Sequence, residues 1–244
     1  MENTILILGA SSDIAQAVAH EFAEKGFDVI LTARNSKRLE PLVSDLAIRH
    51  AIKTYLVEFD AEDYTSHGQF YLDLPASPTV ALYSVGYLGD QKRAESDWNE
   101  AARVINTNYV GGVSILSVVA NEFESRRSGT IIGISSVAGE RGRQSLYIYG
   151  SAKAGFTAFL AGLRHRLSRS NVNVLTVKPG FVQTKMTAGL DLPKMLAANP
   201  DALARAIYKG YRARKTTIYF LPIFRLIMLI IRNIPEAIFV KTKL

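Results

Sequence analysis

Apolar residues along this chain alternate between two rhythms. Short unbroken runs at Thr4–Leu8, Asp28–Thr32, Thr54–Phe59, Thr79–Ser84, Thr130–Ser135 and Asn173–Val177 have the length and β-branched content of strands buried on both faces. Between them, Ile14–Lys25, Ser36–Arg49, Trp98–Arg126 and Tyr147–Ser168 carry apolar residues at helical spacing, which predicts helices packed on a core. Strands that alternate with helices imply parallel pairing. Right-handed crossovers then place helices on both faces of one sheet. The expectation is α/β: a doubly wound parallel sheet of Rossmann type in a single domain over residues 1–215. An apolar, basic appendage follows over residues 216–244.

Composition narrows this picture. A hydrophobic share of 48% in 244 residues is enough for a large core, and the absence of cysteine removes disulfides and thiolate metal sites. His20, His50, His67 and His165 are scattered without ligand spacing, so no metal is expected. Met1 leads at once into the run Ile5–Leu8 without a basic preamble or cleavage site, which argues against a secretory signal. The expected location is the cytoplasm, with a peripheral place on the inner face of the membrane as the further option.

Charge is uneven. Nine of the 29 Lys/Arg but one of the 22 Asp/Glu lie from Arg205 onward. A near-neutral body with a basic tail suggests an anionic partner. Nucleic acid fits poorly, because the tail is apolar between its charges. Pro222 can start a helix and Pro235 can follow its end, with Ile-Phe-Arg-Leu-Ile-Met-Leu-Ile-Ile-Arg-Asn between. That piece is too short to cross a bilayer but suits an anionic membrane interface. A subunit interface in a homo-oligomer, or a lid on the substrate cleft, explains the same pattern equally well.

The most informative segment runs from Ile131 to Gly155. A strand ends in Ser135-Ser136, a Gly/Arg loop follows, and a helix then carries Tyr149 and Lys153. Residues four apart share a helix face. A phenol titrates near ~10, and a nearby ammonium is expected to lower that value. Ser136 can hydrogen-bond the oxygen that Tyr149 would protonate, so the trio reads as a proton donor beside a carbonyl. A chance Tyr and Lys on an amphipathic helix is the plainer explanation.

A glycine turn follows the first strand, Gly9-Ala10-Ser11-Ser12-Asp13-Ile14. Its amides and the next helix N-terminus can hold a pyrophosphate. Asp13 would disfavour a phosphate unless it points away. Arg34, after the second strand, can take a 2′-phosphate bidentately with Arg38 as helper, which favours NADP(H) over NAD(H). A solvent-exposed loop arginine is the alternative.

The Ser136, Tyr149-x-x-x-Lys153 arrangement resembles the short-chain dehydrogenase/reductase family, and the likeness extends over nearly the whole chain. The resemblance implies hydride transfer between a nicotinamide cofactor and a carbonyl or secondary alcohol. It makes Ser136, Tyr149, Lys153 and Asn108 catalytic, with Asn106 the alternative to Asn108. It gives Gly9, Ser11, Ser12, Asp13, Ile14 and Arg34 to the cofactor, together with Asp60 at the adenine, Gly86, and Pro179, Gly180, Val182 and Thr184 at the nicotinamide. Tyr149 and Lys153 also touch the cofactor. Asp60 has a helix cap as its competing role. Two of the three glycines usual in the first turn are replaced here, by Asp13 and Ala15.

A narrower likeness, in Gly86–Asp90, Ser135–Arg141, Tyr149–Gly155 and the C-terminal stretch, is to the branch containing the ketoreductase half of decaprenylphosphoryl-ribose 2′-epimerase. It implies a lipid-linked keto-sugar. The alternatives are a reductase of small ketones or acyl-carrier substrates, and a non-catalytic nucleotide-binding scaffold.

Overall fold

The computed structural model describes residues 3–188 and 197–242. In chain order its elements are β1 (Thr4–Leu8), α1 (Asp13–Glu24), β2 (Asp28–Ala33), α2 (Glu40–His50), β3 (Thr54–Glu58), α3 (His67–Leu72), β4 (Val80–Tyr83), α4 (Gln91–Ala94), α5 (Trp98–Ile105), α6 (Gly111–Ser125), β5 (Gly129–Ile134), α7 (Tyr147–Leu167), β6 (Val172–Pro179), β7 (Phe181–Val182), β8 (Ala197–Ala198), α8 (Pro200–Arg212), β9 (Thr217–Phe220), α9 (Ile223–Asn233) and α10 (Glu236–Phe239). Seven strands form one parallel sheet in the order β3-β2-β1-β4-β5-β6-β9, and β7 pairs with β8 apart from it.

Alternation within each strand divides the core in two. Ile5 and Ile7 of β1, with Val29 and Leu31 of β2, point to one face, where they meet Val18 and Phe22 of α1 and Leu203 and Ile207 of α8. Leu6 and Leu8, with Ile30, point to the other, against Ile115 and Val119 of α6 and Phe156 and Leu160 of α7. Burying one such side chain is worth ~1.5–3 kcal/mol, so the continuous runs seen in the sequence are what two covered faces demand. Strand order reverses between β1 and β4. That reversal opens a crevice beyond their C-terminal ends, where Gly9 and Val85 emerge.

Two features depart from the sequence expectation. The helix expected over 98–126 is broken by a π-helical turn at Asn106–Val110, which inserts a residue without interrupting the apolar face. Residues 217–220, expected in the appendage, form β9 and pair with β6 at the sheet edge. The helix expected between Pro222 and Pro235 is present as α9. No helix among the described residues is long and apolar enough to cross a membrane.

Candidate active site

A cavity of about 590 Å³ opens along the crevice. Every site residue expected from the sequence lines it, except Asn108, which is fully buried behind it.

Its first half is built on the turn after β1. Gly9 has φ 89°, and a Cβ there would lie 2.8 Å from the backbone N of Val85. Only glycine fits. Ser12 caps α1, its Oγ accepting from the Ala15 N–H at 3.1 Å and lying 2.9 Å from Ser84 Oγ. Asp13, on the cavity wall, is tied to the loop that follows β7. Its Oδ2 accepts from the backbone N–H of Lys185 at 2.6 Å, and its Oδ1 is 3.7 Å from Lys185 Nζ. The Asp13 carboxylate is thereby engaged by Lys185, and the helix N-terminus beside it suits an anion.

Arg34 follows β2 on the cavity wall, and Arg38 donates to Ser11 Oγ at 2.9 Å. Glu58 organises the backbone between these arginines by accepting from the N–H groups of Asn35 and Ser36 at 2.5 and 2.8 Å. Those bonds hold its carboxyl below the usual range. Asp60 lines the cavity and accepts from the Glu62 N–H at 3.0 Å within a turn; it caps no helix, because α3 begins only at His67 with Ser66 at its N-cap.

The second half is built on β5 and α7. Ser136 ends the strand in extended backbone and caps a tight turn through Ala138 N–H at 3.1 Å. Loop and helix meet through small residues. A Cβ on Gly139 would lie 2.7 Å from Ala154 N, and one on Gly150 would lie 2.9 Å from Ala138 O. Ser135 fastens them, donating to Lys153 O at 3.1 Å and lying 2.6 Å from Thr157 Oγ1. This close approach brings the Ser136 hydroxyl to the Tyr149 phenol.

Burial pushes the Tyr149 phenol up to about 12, and the Ser136 hydroxyl acts in the opposite direction. Burial alone pushes Lys153 down to about 8. The expected lowering of the phenol by Lys153 is therefore corrected. Lys153 Nζ donates to the Ile134 carbonyl at 3.2 Å and lies 5.7 Å from the Tyr149 ring centre, and burial is the larger influence on the phenol.

Behind Lys153, the π-turn carries Asn108 inward, while Asn106 stays partly exposed. Asn108 Nδ2 donates to the Tyr87 and Val104 carbonyls at 2.6 and 2.8 Å, and its Oδ1 accepts from Tyr87 N–H at 3.3 Å. Gly86 sits between these groups. A Cβ there would be 3.3 Å from Asn108 Oδ1 and 3.6 Å from Lys153 Nζ.

The cavity's far wall comes from the loop after β6 and from α9. Pro179 ends β6, and Gly180 N–H donates to Phe220 O at 2.9 Å. A Cβ on Gly180 would lie 2.1 Å from the Phe224 ring, so α9 rests directly on this turn. Val182 is buried in β7. The Thr184 hydroxyl is partly engaged in a capping box with Thr187. Phe224, Ile227, Met228 and Ile231 of α9 face the cavity.

Glu140 anchors α9. It accepts from Lys178, from Tyr219 Oη at 3.2 Å and from Arg232 Nη1 at 3.1 Å. Sequence reasoning left open whether α9 was a lid and missed Glu140, Arg143, Leu146 and Met186. The last three line the cavity, and only position in the loops flanking Tyr149 and Thr184 could have pointed to them. Among the described residues no cluster of His, Cys, Asp or Glu could hold a metal.

The model of the short chain dehydrogenase family matches residues 3–194. The chain belongs to the short-chain dehydrogenase/reductase family. It is an NAD(P)-dependent oxidoreductase. An uncharacterised oxidoreductase of Mycobacterium tuberculosis is 37% identical over 215 residues, covering 85% of this chain and 86% of that protein. An uncharacterised oxidoreductase of Streptomyces coelicolor is 35% identical over 240 residues, covering 97% and 94%. The fold is shared with a short-chain dehydrogenase from Sphingobium yanoikuyae solved in complex with NADPH. The TM-score is 0.82 at 24% identity, over 96% of this chain and 97% of that one. The Gly9 turn, which a Cβ would fill, fits the dinucleotide that such a dehydrogenase uses.

Proposed function

We propose that this short-chain dehydrogenase is an NADPH-dependent carbonyl reductase that works at an anionic membrane surface. The observation that carries the proposal is one cavity running from the Gly9 turn to the Tyr149 phenol, walled by the inward face of α9. When bound, NADPH supplies the hydride for the carbonyl carbon. The α1 N-terminus holds the pyrophosphate, and Arg34 with Arg38 meets the 2′-phosphate.

Ser136 donates to the substrate oxygen as negative charge develops there, and Tyr149 gives that oxygen its proton. A phenol held in its protonated form is suited to the acid role. Lys153 stands behind the phenol to support the phenolate left by that transfer. Asn108 continues the route by which the proton is replaced.

Support for the membrane comes from the other side of α9. Ile223, Leu226, Leu229 and Ile230 are exposed there, beside a groove lined by Lys209, Lys215 and Arg225. A helix with an apolar face and a cationic flank suits an anionic bilayer interface. The likeness of the C-terminal stretch to the epimerase branch extends the proposal to a keto-sugar on a lipid carrier.

The test of the chemistry is oxidation of NADPH in the presence of ketones. Tyr149→Phe should lower kcat by ~10²–10⁴-fold while leaving NADPH affinity within a few-fold. A near-normal rate in that variant would overturn the assignment.

A further inference from the structure

Arg143 lies in the loop between Ser136 and Tyr149 and lines the same cavity. Its side chain makes no hydrogen bond or ion pair with the described residues. The guanidinium is partly buried, and burial alone pushes it below the usual arginine range, with no carboxylate acting on it.

Two other arginines show how this fold normally treats such a group. Arg164 is also drawn out of water, and it donates to Val174 O at 2.9 Å and to Thr176 Oγ1 and Thr216 O at 2.7 Å. Arg141, two residues before Arg143, pairs with Glu236, donates to Arg232 O at 3.1 Å and stacks 4.3 Å from the Phe239 ring centre. Desolvating a charge without a partner is costly, and folded proteins rarely leave it so. The cavity that Arg143 lines also carries apolar side chains, Leu146 from the same loop and Ile227, Met228 and Ile231 from α9.

We propose that Arg143 is a specificity residue that anchors an anionic oxygen group, a carboxylate or a phosphate ester, on a substrate whose remaining surface is apolar. A guanidinium offers a planar fork of donors that matches both groups. Apolar neighbours lower the local dielectric and strengthen such a pair. Placed on the Ser136–Tyr149 loop, the anchor sets how far the reacting carbonyl sits from the charge. The proposal deepens the reductase reading, and only its turnover arm rests on that reading.

The binding arm uses the NADP⁺-loaded protein with octanoate, octyl phosphate and the neutral octanamide, followed by calorimetry. Octanoate and octyl phosphate should bind roughly tenfold or more tightly than octanamide, as expected for a desolvated charge-assisted pair. In Arg143→Gln that ratio should fall to about one. In Arg143→Lys, which keeps the charge but loses the fork, it should be intermediate. Equal binding of charged and neutral ligands by the unaltered protein would overturn the proposal, as would an unchanged ratio in Arg143→Gln.

The turnover arm compares methyl-ketone carboxylates of graded chain length with their methyl esters. The carboxylates should be preferred in kcat/KM, and Arg143→Gln should erase the preference through KM. Reduction of both kinds without preference defeats the anchor and spares the reductase. Charge-selective binding with no turnover of any ketone defeats the reductase and spares the anchor.

Discussion

Asp13 and Lys185 stand 172 residues apart in sequence and are joined by a 2.6 Å hydrogen bond from the Lys185 backbone N–H to the Asp13 carboxylate. The bond ties the first turn of α1 to the loop that follows β7. Both segments border the cavity, so the pair closes one side of the crevice. An acid stands here where the family usually has a glycine, and it holds the loop.

Asp13→Ala should loosen the loop and keep the turn. Cofactor dissociation is expected to quicken by roughly tenfold, the worth of one charge-assisted hydrogen bond. Stopped-flow displacement of NADPH measures it. An unchanged dissociation rate would show that the tie has no part in retaining the cofactor.

Lys153 predicts a pH dependence of stability. Its folded value of about 8 lies below the ordinary lysine value of 10.5, so the unfolded chain binds more protons between the two. Stability therefore rises with pH across that window, and the penalty for burying the charge is full below pH 8. Lys153→Met should be the more stable protein at pH 7, by up to roughly 3 kcal/mol. The gap should close toward pH 10. Urea unfolding at several pH values checks this, and a gap that does not vary with pH contradicts it. The same substitution should cost both turnover and cofactor affinity.

Arg34 and Arg38 predict the choice of cofactor. Arg34→Ala should weaken NADPH by tenfold or more and leave NADH within a few-fold, since only the former carries the 2′-phosphate. Fluorescence titration of the two cofactors separates the cases. Equal affinity of the unaltered protein for both would remove the argument.

Leu226 and Ile230 predict membrane attachment. Replacing both by serine should release the protein from anionic vesicles without changing its oligomeric state. In the unaltered protein, affinity should rise with anionic lipid and fall, without vanishing, as salt shortens the Debye length from ~10 Å at 0.1 M. Co-sedimentation with and without vesicles reads both. If the double substitution splits an oligomer and the unaltered protein never binds vesicles, α9 is a subunit interface.

Strands β1, β2, β4, β5 and β6 were legible because a strand covered on both faces must be written as a mostly apolar run, and the partly buried edge strand β3 because its short β-branched and aromatic run stands between two helical stretches. β9 was not, because Thr217–Phe220 is four residues long, only partly buried, and merges with the apolar tail that follows. The π-turn at Asn106–Val110 was hidden for a related reason: the helical apolar pattern continues through it. At the site, the Tyr149–Lys153 spacing is local and could be read directly. The balance of burial against charge that sets their protonation depends on packing, and no local pattern records it. The partner of Asp13 was likewise beyond reach, since only the closed fold brings Lys185 to it.

The eleven residues of α9 answer to two masters. Phe224 rests on the Gly180 turn and packs with Met228 and Val137, while Leu226 and Ile230 look outward. A deletion beginning at α9 would therefore not isolate an anchor. It would also strip the wall from the cavity and leave Glu140 without its Arg232 contact, so lost attachment and lost turnover would arrive together. Only exchange of outward-facing side chains, one rim of the helix at a time, can separate where the enzyme resides from what it reduces.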